Sequence, residues 1–236
     1  MFKDLFDRIS DFNRDVCRNI VSLRESEDLF DDLSDGDPEY SKVAIDAEMR
    51  VKGNRQPHVP GVIQRSFHYS TAIAYPFEHE PYIYSRFGNG SFGVWYGSIG
   101  METTIYETAY HMIRAESAVE GLDEVIIRER AVYDVHCKSI LIDLRGKAEN
   151  FPQLVEDDYI FTQQIGLQLH QEGHPGLLTQ SARTRGVNAV IFNPSVLSNP
   201  RLKCYLKYCF DPTTTTVRVE RQTGVELLVV HGNVWF

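Results

Sequence analysis

Between Tyr84 and Arg114 the chain reads YSRFGNGSFGVWYGSIGMETTIYETAYHMIR, which carries an arginine, a tyrosine and a glutamate at near-regular spacing. Arg86 stands in an apolar-aromatic run, Tyr96 ten residues later in a second such run, and Glu107 eleven residues beyond that in a stretch of helical pattern. A guanidinium matches phosphate oxygens with a planar, bidentate fork that lysine lacks. A carboxylate can hydrogen-bond sugar hydroxyls or stabilise positive charge developing on a sugar ring. A tyrosine adds an aromatic face and a hydroxyl. Together these types suit a pocket for an anion joined to a ribose.

The elements that must hold this set are legible around it. VIQRSFHYS, PYIYSRF and GVWYGS are rich in aromatic and β-branched residues and predict strands. The periodicity then predicts a helix over 101–117, with Met101, Ile105, Thr108, Ala109 and Met112 on one face and Thr103, Glu107, His111 and Arg114 on another. VIIRERAVYDVHC and SILIDL predict two further strands, and a helix is expected near 156–172. GLLTQSARTRG reads as a loop and NAVIFNP as a compact strand; LKCYLKYCFDPTTTTVRVER reads as strand, turn and strand, and GVELLVVHG as a closing strand. Strands outnumber helices and do not alternate with them, which makes the class α+β rather than a doubly wound parallel sheet.

Ahead of this lies a different texture. Phe2, Leu5, Ile9, Phe12, Val16, Ile20 and Leu23 recur at steps of three or four and predict a helix over about 2–33. SDGDPEYS at 34–41 ends it, a second amphipathic piece covers 40–51, and the proline-bearing KGNRQPHVPG links onward. The expected organisation is an N-terminal helical extension at 1–55 and a main domain at 56–236. The extension would cap its own domain or meet a partner or a second copy.

Composition narrows the function. The 236 residues carry a formal net charge of −9, which argues against a broad nucleic-acid-binding face. Cys17, Cys137, Cys204 and Cys209 form no CxxC pair and read as reduced thiols of a cytoplasmic protein. No apolar run approaches membrane-spanning length, and MFKDLFDRIS does not resemble a signal peptide. Gly88-Asn-Gly90-Ser-Phe-Gly93 matches G-x-G-x-x-G literally, yet it leads into a strand, whereas the dinucleotide fingerprint must open a helix. Kinase signatures, HExxH and G-x-S-x-G are absent, and no metal is expected.

Arg65 in RSF, the run RFG-x5-VWYGS-x3-ETTIYE-x2-YH, and Ser181 in QSARTRGVNAVIFNP are together similar to the RES-domain family, named for its arginine, glutamate and serine. The resemblance spans roughly residues 60–210. It implies an ADP-ribosyltransferase-like fold of central β-sheets flanked by helices, which binds NAD as substrate and breaks its nicotinamide–ribose bond. Members of the family are commonly toxins of bacterial toxin–antitoxin pairs, with a small Xre-like antitoxin plugging the site. On this resemblance Arg65 and Arg86 hold the diphosphate, and Glu107 serves the ribose. Tyr96 stacks on nicotinamide or donates to the ligand, and Ser181 bonds the ribose or orients Glu107. His111, Arg183 and Asn193 are candidate supporting residues, and Glu102 is the rival to Glu107.

The residue types agree with that chemistry, because cleaving an N-glycosidic bond passes through an oxocarbenium-like state that a nearby carboxylate stabilises. The leading expectation is therefore a NAD-consuming toxin that hydrolyses or phosphorolyses its substrate. The alternatives are a mono-ADP-ribosyltransferase with a protein acceptor, and an inactive nucleotide-binding module.

Overall fold

The computed structural model describes residues 4–22, 71–78, 80–222 and 224–232. The expected strand at 62–70, the short helix at 40–51 and Arg65 lie outside the described residues. Residues 4–22 belong to the same compact unit as 71–232. The architecture is mixed α+β, a large sheet with a few helices packed against it.

The first strand, β1 (Ile9–Val21), is where the helical expectation fails. Phe12, Val16 and Ile20 are four residues apart, and a step of four returns to the same side of a strand as well as of a helix. What decides is tertiary pairing. All thirteen residues of β1 pair in antiparallel register, from Ile9 with Ile142 to Val21 with Arg130. Their partner is the long β3 (Ile126–Asp143), which replaces the two strands expected there. β1 carries the strand across that junction by pairing without interruption from Arg130 to Ile142, while β6 (Leu197–Asp211) pairs from Ile126 to Cys137 and stops there.

The remaining strands are β2 (Trp95–Ser98), β4 (Gly176–Gln180), β5 (Val187–Ile191), β7 (Thr216–Gln222) and β8 (Val225–His231). The sheet order is β1-β2-β5-β4-β3-β6-β7-β8, and the additional β1–β3 pairing closes the first five strands into a ring. β4 was expected as loop, but its first four residues are buried, and it is hydrogen-bonded between β3 and β5. PYIYSRF, by contrast, is not a strand. It keeps one isolated bridge, Tyr84 with Asn89, and Ser85 and Gly88 exchange backbone hydrogen bonds in a tight turn.

Among the described residues three α-helices accompany the sheet: α1 (Thr71–Glu78), α2 (Met101–Glu116) and α3 (Ile160–Gln171). α2 buries Ile105, Ala109, Met112 and Ile113 against Val132, Tyr208, Phe210, Val217 and Val219. α3 buries Ile165 and Leu169 with Leu144, Leu177, Val190 and Phe192. Each fully buried Leu or Ile contributes about 1.5–3 kcal/mol, so these two cores set the positions of both helices. Among the described residues no helix is long and apolar enough to cross a membrane.

Candidate functional site

Ser98 ends β2 and Met101 opens α2, so the strand carrying Tyr96 and the helix carrying Glu107 meet at one short connection. Between them lies a cavity of about 370 Å³, lined by Arg18, Arg86, Tyr96, Glu107, His111 and Asn188 among others. The volume falls within the range of small-molecule sites.

Glu107 is half-buried, and one of its oxygens is fixed from two sides. The Ser181 hydroxyl donates to Oε1 at 2.6 Å, and the Asn188 amide donates to the same atom at 2.7 Å. A carboxylate only accepts, so Asn188 must turn its NH₂ to Glu107 and its carbonyl away. That carbonyl accepts the Ser98 hydroxyl at 2.6 Å, and the β2–β5 register sets Ser98 directly opposite Asn188. Oε2 of Glu107 has no hydrogen-bond partner among the described residues.

Ser181 itself is 2 % exposed. Its oxygen accepts the backbone N–H groups of Arg183 and Thr184, at 3.0 and 3.1 Å, so it anchors the turn that follows β4. The turn lies tight on α2: a Cβ on Gly186 would stand 2.0 Å from the Thr103 hydroxyl, which leaves glycine as the residue that fits. Arg183 is buried, lies 3.4 Å above the Tyr110 ring and pairs with Asp157. Burial works against the Asp157 carboxylate. Hydrogen bonds from Arg183 and Tyr110 outweigh it and hold its pKa below the usual value.

Arg86 is presented by the turn between Tyr84 and Asn89. The Tyr96 hydroxyl accepts the Phe87 N–H at 2.8 Å and shares a hydrogen bond with Ser85 at 2.9 Å. From α3, Gln163 donates to the Ser85 carbonyl at 3.0 Å. Gly166 brings the helix so close that a Cβ there would stand 1.9 Å from the Phe87 carbonyl oxygen. The Arg86 guanidinium donates to the carbonyls of Leu154 and Glu156 and lies 4.7 Å above the Tyr159 ring. Carbonyl partners leave its charge unneutralised. Burial pushes the Tyr96 phenol up to about 12, so it is neutral at physiological pH.

The structure thus brings Arg86, Tyr96 and Glu107 to the cavity wall, with Ser181 buried behind Glu107 and hydrogen-bonded to it. His111 also lines the cavity. Its side chain is exposed, yet desolvation by the surrounding protein lowers the imidazole pKa, Glu107 opposes that shift, and Arg183, Arg86 and Arg114 reinforce it. Two sequence candidates are not brought to the cavity lining. Glu102 is exposed on the first turn of α2, and Asn193 is exposed, its side chain capping the Ser195 N–H. Asn188, five residues earlier, takes the supporting place proposed for Asn193. Arg18 and Asn188 were not singled out from the sequence. Among the described residues no group of three or more His, Cys, Asp or Glu side chains is placed to hold a metal.

Comparison with known proteins gives three findings. The family model described as RES domain matches residues 55–211. A chain of the MbcT–MbcA toxin–antitoxin complex from M. tuberculosis is similar in structure, with a TM-score of 0.44 and 11% identity over 88% of this chain and 89% of that one. A search of curated proteins finds no match.

Proposed function

This chain belongs to the RES-domain family, and from that premise and the geometry of the cavity we propose that it cleaves the nicotinamide–ribose bond of NAD. The observation that carries the reading is the state of Glu107: one oxygen is held by Ser181 and Asn188, and the other is unengaged beside the cavity. An oriented carboxylate of this kind stabilises an oxocarbenium-like ribose far better than a freely rotating one, because no reorganisation is needed as charge develops. The C1′–N bond breaks with its electron pair passing to the pyridinium nitrogen, and neutral nicotinamide leaves. Water, or phosphate, then adds to C1′; the water route releases a proton, giving ADP-ribose.

Arg86 fits the diphosphate role, since its present hydrogen bonds go to carbonyls that a phosphate can outcompete. The Tyr96 hydroxyl holds the Arg86 turn while its ring lines the cavity. Ser181 acts by orienting Glu107. Arg65 keeps the diphosphate role implied by the family motif.

In the cell this activity makes the protein a NAD-depleting, growth-inhibiting cytoplasmic toxin with a cognate Xre-like antitoxin over the cavity mouth. The test is nicotinamide release from NAD by the purified chain, with Glu107→Gln alongside, with and without phosphate. Release that is lost in the variant supports the reading. Release that appears only with added cell proteins, with ADP-ribose on one of them, would replace it by mono-ADP-ribosyl transfer. No release under any condition would leave a nucleotide-binding module.

A further inference from the structure

Strand β1 precedes the matched family span of 55–211, yet it supplies a wall of the cavity. Its Arg18 donates through Nη1 to the Tyr96 carbonyl at 2.7 Å and lies 5.4 Å above the Trp95 ring. Its Nε is buried with no hydrogen-bond partner, and among the described residues the guanidinium makes no ion pair. The nearest opposing influence is unfavourable, because Arg130 is close enough to act against the Arg18 charge. Arg130 offers no compensation of its own, since it donates to the side-chain and backbone oxygens of Asn19.

A buried guanidinium with a donor unspent is costly, and proteins retain such groups where an anion completes them. Burial and the Arg130 charge lower the Arg18 pKa to about 10, which leaves the side chain cationic at neutral pH. Arg18 and Arg86 therefore bring two guanidinium groups from separate elements to the cavity, in a chain whose net charge is −9. Neither makes an ion pair with a carboxylate among the described residues, although Asp157 lies within electrostatic reach of Arg86.

We propose that Arg18 is a phosphate anchor of the cavity, holding a phosphate group of the bound ligand together with Arg86. The inference deepens the NAD reading and rests on it for the identity of that phosphate. The diphosphate of the dinucleotide and inorganic phosphate poised as nucleophile share the same chemistry, and the experiment separates them. The N-terminal strand is then part of the binding site, although it lies outside the family match.

The test is calorimetric binding of ADP, adenosine and inorganic phosphate to the full chain and to Arg18→Gln and Arg18→Lys, with thermal unfolding recorded for each. The wild type is expected to prefer ADP over adenosine. Arg18→Gln is expected to cut that preference by about 10- to 100-fold, the worth of charge-assisted hydrogen bonds, while adenosine affinity holds. Arg18→Lys should fall between. Loss of inorganic phosphate binding with ADP unaffected would support the anchor and assign it to the nucleophile. An unchanged preference for ADP together with unchanged phosphate binding would overturn the proposal. So would equal loss of ADP and adenosine affinity, or unfolding of both variants, either of which would make Arg18 structural. If the wild type shows the Arg18-dependent ADP preference but releases no nicotinamide from NAD, the anchor stands and the cleavage reading fails. Nicotinamide release by a wild type whose phosphate preferences survive Arg18→Gln would sink the anchor alone.

Discussion

The Ser181 hydroxyl stands 2.6 Å from Oε1 of Glu107, a residue 74 positions earlier in the chain. The same hydroxyl oxygen accepts two backbone N–H groups of its own turn, so its proton is directed at the carboxylate. Asn188 reaches that oxygen at 2.7 Å, backed by Ser98. Glu107 is therefore aimed by two donors on neighbouring strands and strand ends, with Oε2 left for a ligand.

From this follows an ordered series of variants. Glu107→Gln keeps the shape and removes the charge, and nicotinamide release should fall about 10²- to 10³-fold, the usual cost of losing one preorganised electrostatic group. Ser181→Ala and Asn188→Ala each leave one donor in place, so kcat should drop about tenfold with KM little changed. Because both act on one oxygen, the double variant should be non-additive. Steady-state nicotinamide release decides the matter, and a Ser181→Ala enzyme with wild-type kcat would rule out the orienting role.

The part of this site that spacing and pattern alone make legible is the part built from local chain, whereas Ser181, 74 residues beyond Glu107, is reached only through the family resemblance. Arg86, Tyr96 and Glu107 lie on consecutive elements, so their spacing and the strand–turn–strand–helix texture already place them together. Asn188 was beyond reach, because nothing local says which residue of NAVIFNP faces the carboxylate; the register of β5 against β2 decides it. Arg18 was hidden by a different ambiguity. Phe12, Val16 and Ile20 satisfy a helix and a strand equally, and only pairing with β3, remote in sequence, selects the strand that puts Arg18 at the cavity. GLLTQSARTRG reads as one loop, which misses the burial that makes Gly176–Gln180 a strand.

Tyr96 gives a prediction that separates binding from chemistry. Its hydroxyl satisfies the Phe87 N–H, and Phe87 is fully buried. Tyr96→Phe leaves that donor without its acceptor, which costs about 1–3 kcal/mol, measurable by denaturant unfolding. The loosened turn carries Arg86, so KM for NAD should rise severalfold while kcat changes less. A variant as stable as wild type would mean the hydroxyl does not hold the turn.

Close packing of α3 on the same turn can be tested at Gly166. An added methyl would meet the Phe87 carbonyl at 1.9 Å, and backbone on both sides gives little room to yield. Gly166→Ala should cost about 3 kcal/mol despite the better helix propensity of alanine. Gly100→Ala is the control: its methyl meets nothing nearer than 3.8 Å, and its stability should stay within about 0.5 kcal/mol of wild type. Thermal unfolding of the two variants side by side makes the comparison.

The end of β3 carries a buried carboxylate whose ionised form is stabilised by two arginines. Asp143 is 4 % exposed and accepts from Arg145 through both oxygens and from Arg8 at 2.8 Å, tying the residues ahead of β1 to the strand it pairs with. Burial alone would raise its pKa. The hydrogen bonds from Arg145 and Arg8 outweigh burial and hold the carboxyl far below its ordinary 3.8. A depressed folded-state pKa contributes stability that is fully present above the unfolded value, and it is lost as pH falls from there toward the folded value. Unfolding free energy should thus be flat in this group at neutral pH and decline once pH drops below about 4. Asp143→Asn should cost about 2 kcal/mol at pH 7, the scale of hydrogen bonds to a charged group, and should flatten the acid limb. Urea unfolding of both proteins from pH 7 to pH 3 reads the two effects together, and an acid limb of equal slope in the variant would assign the sensitivity to another carboxylate.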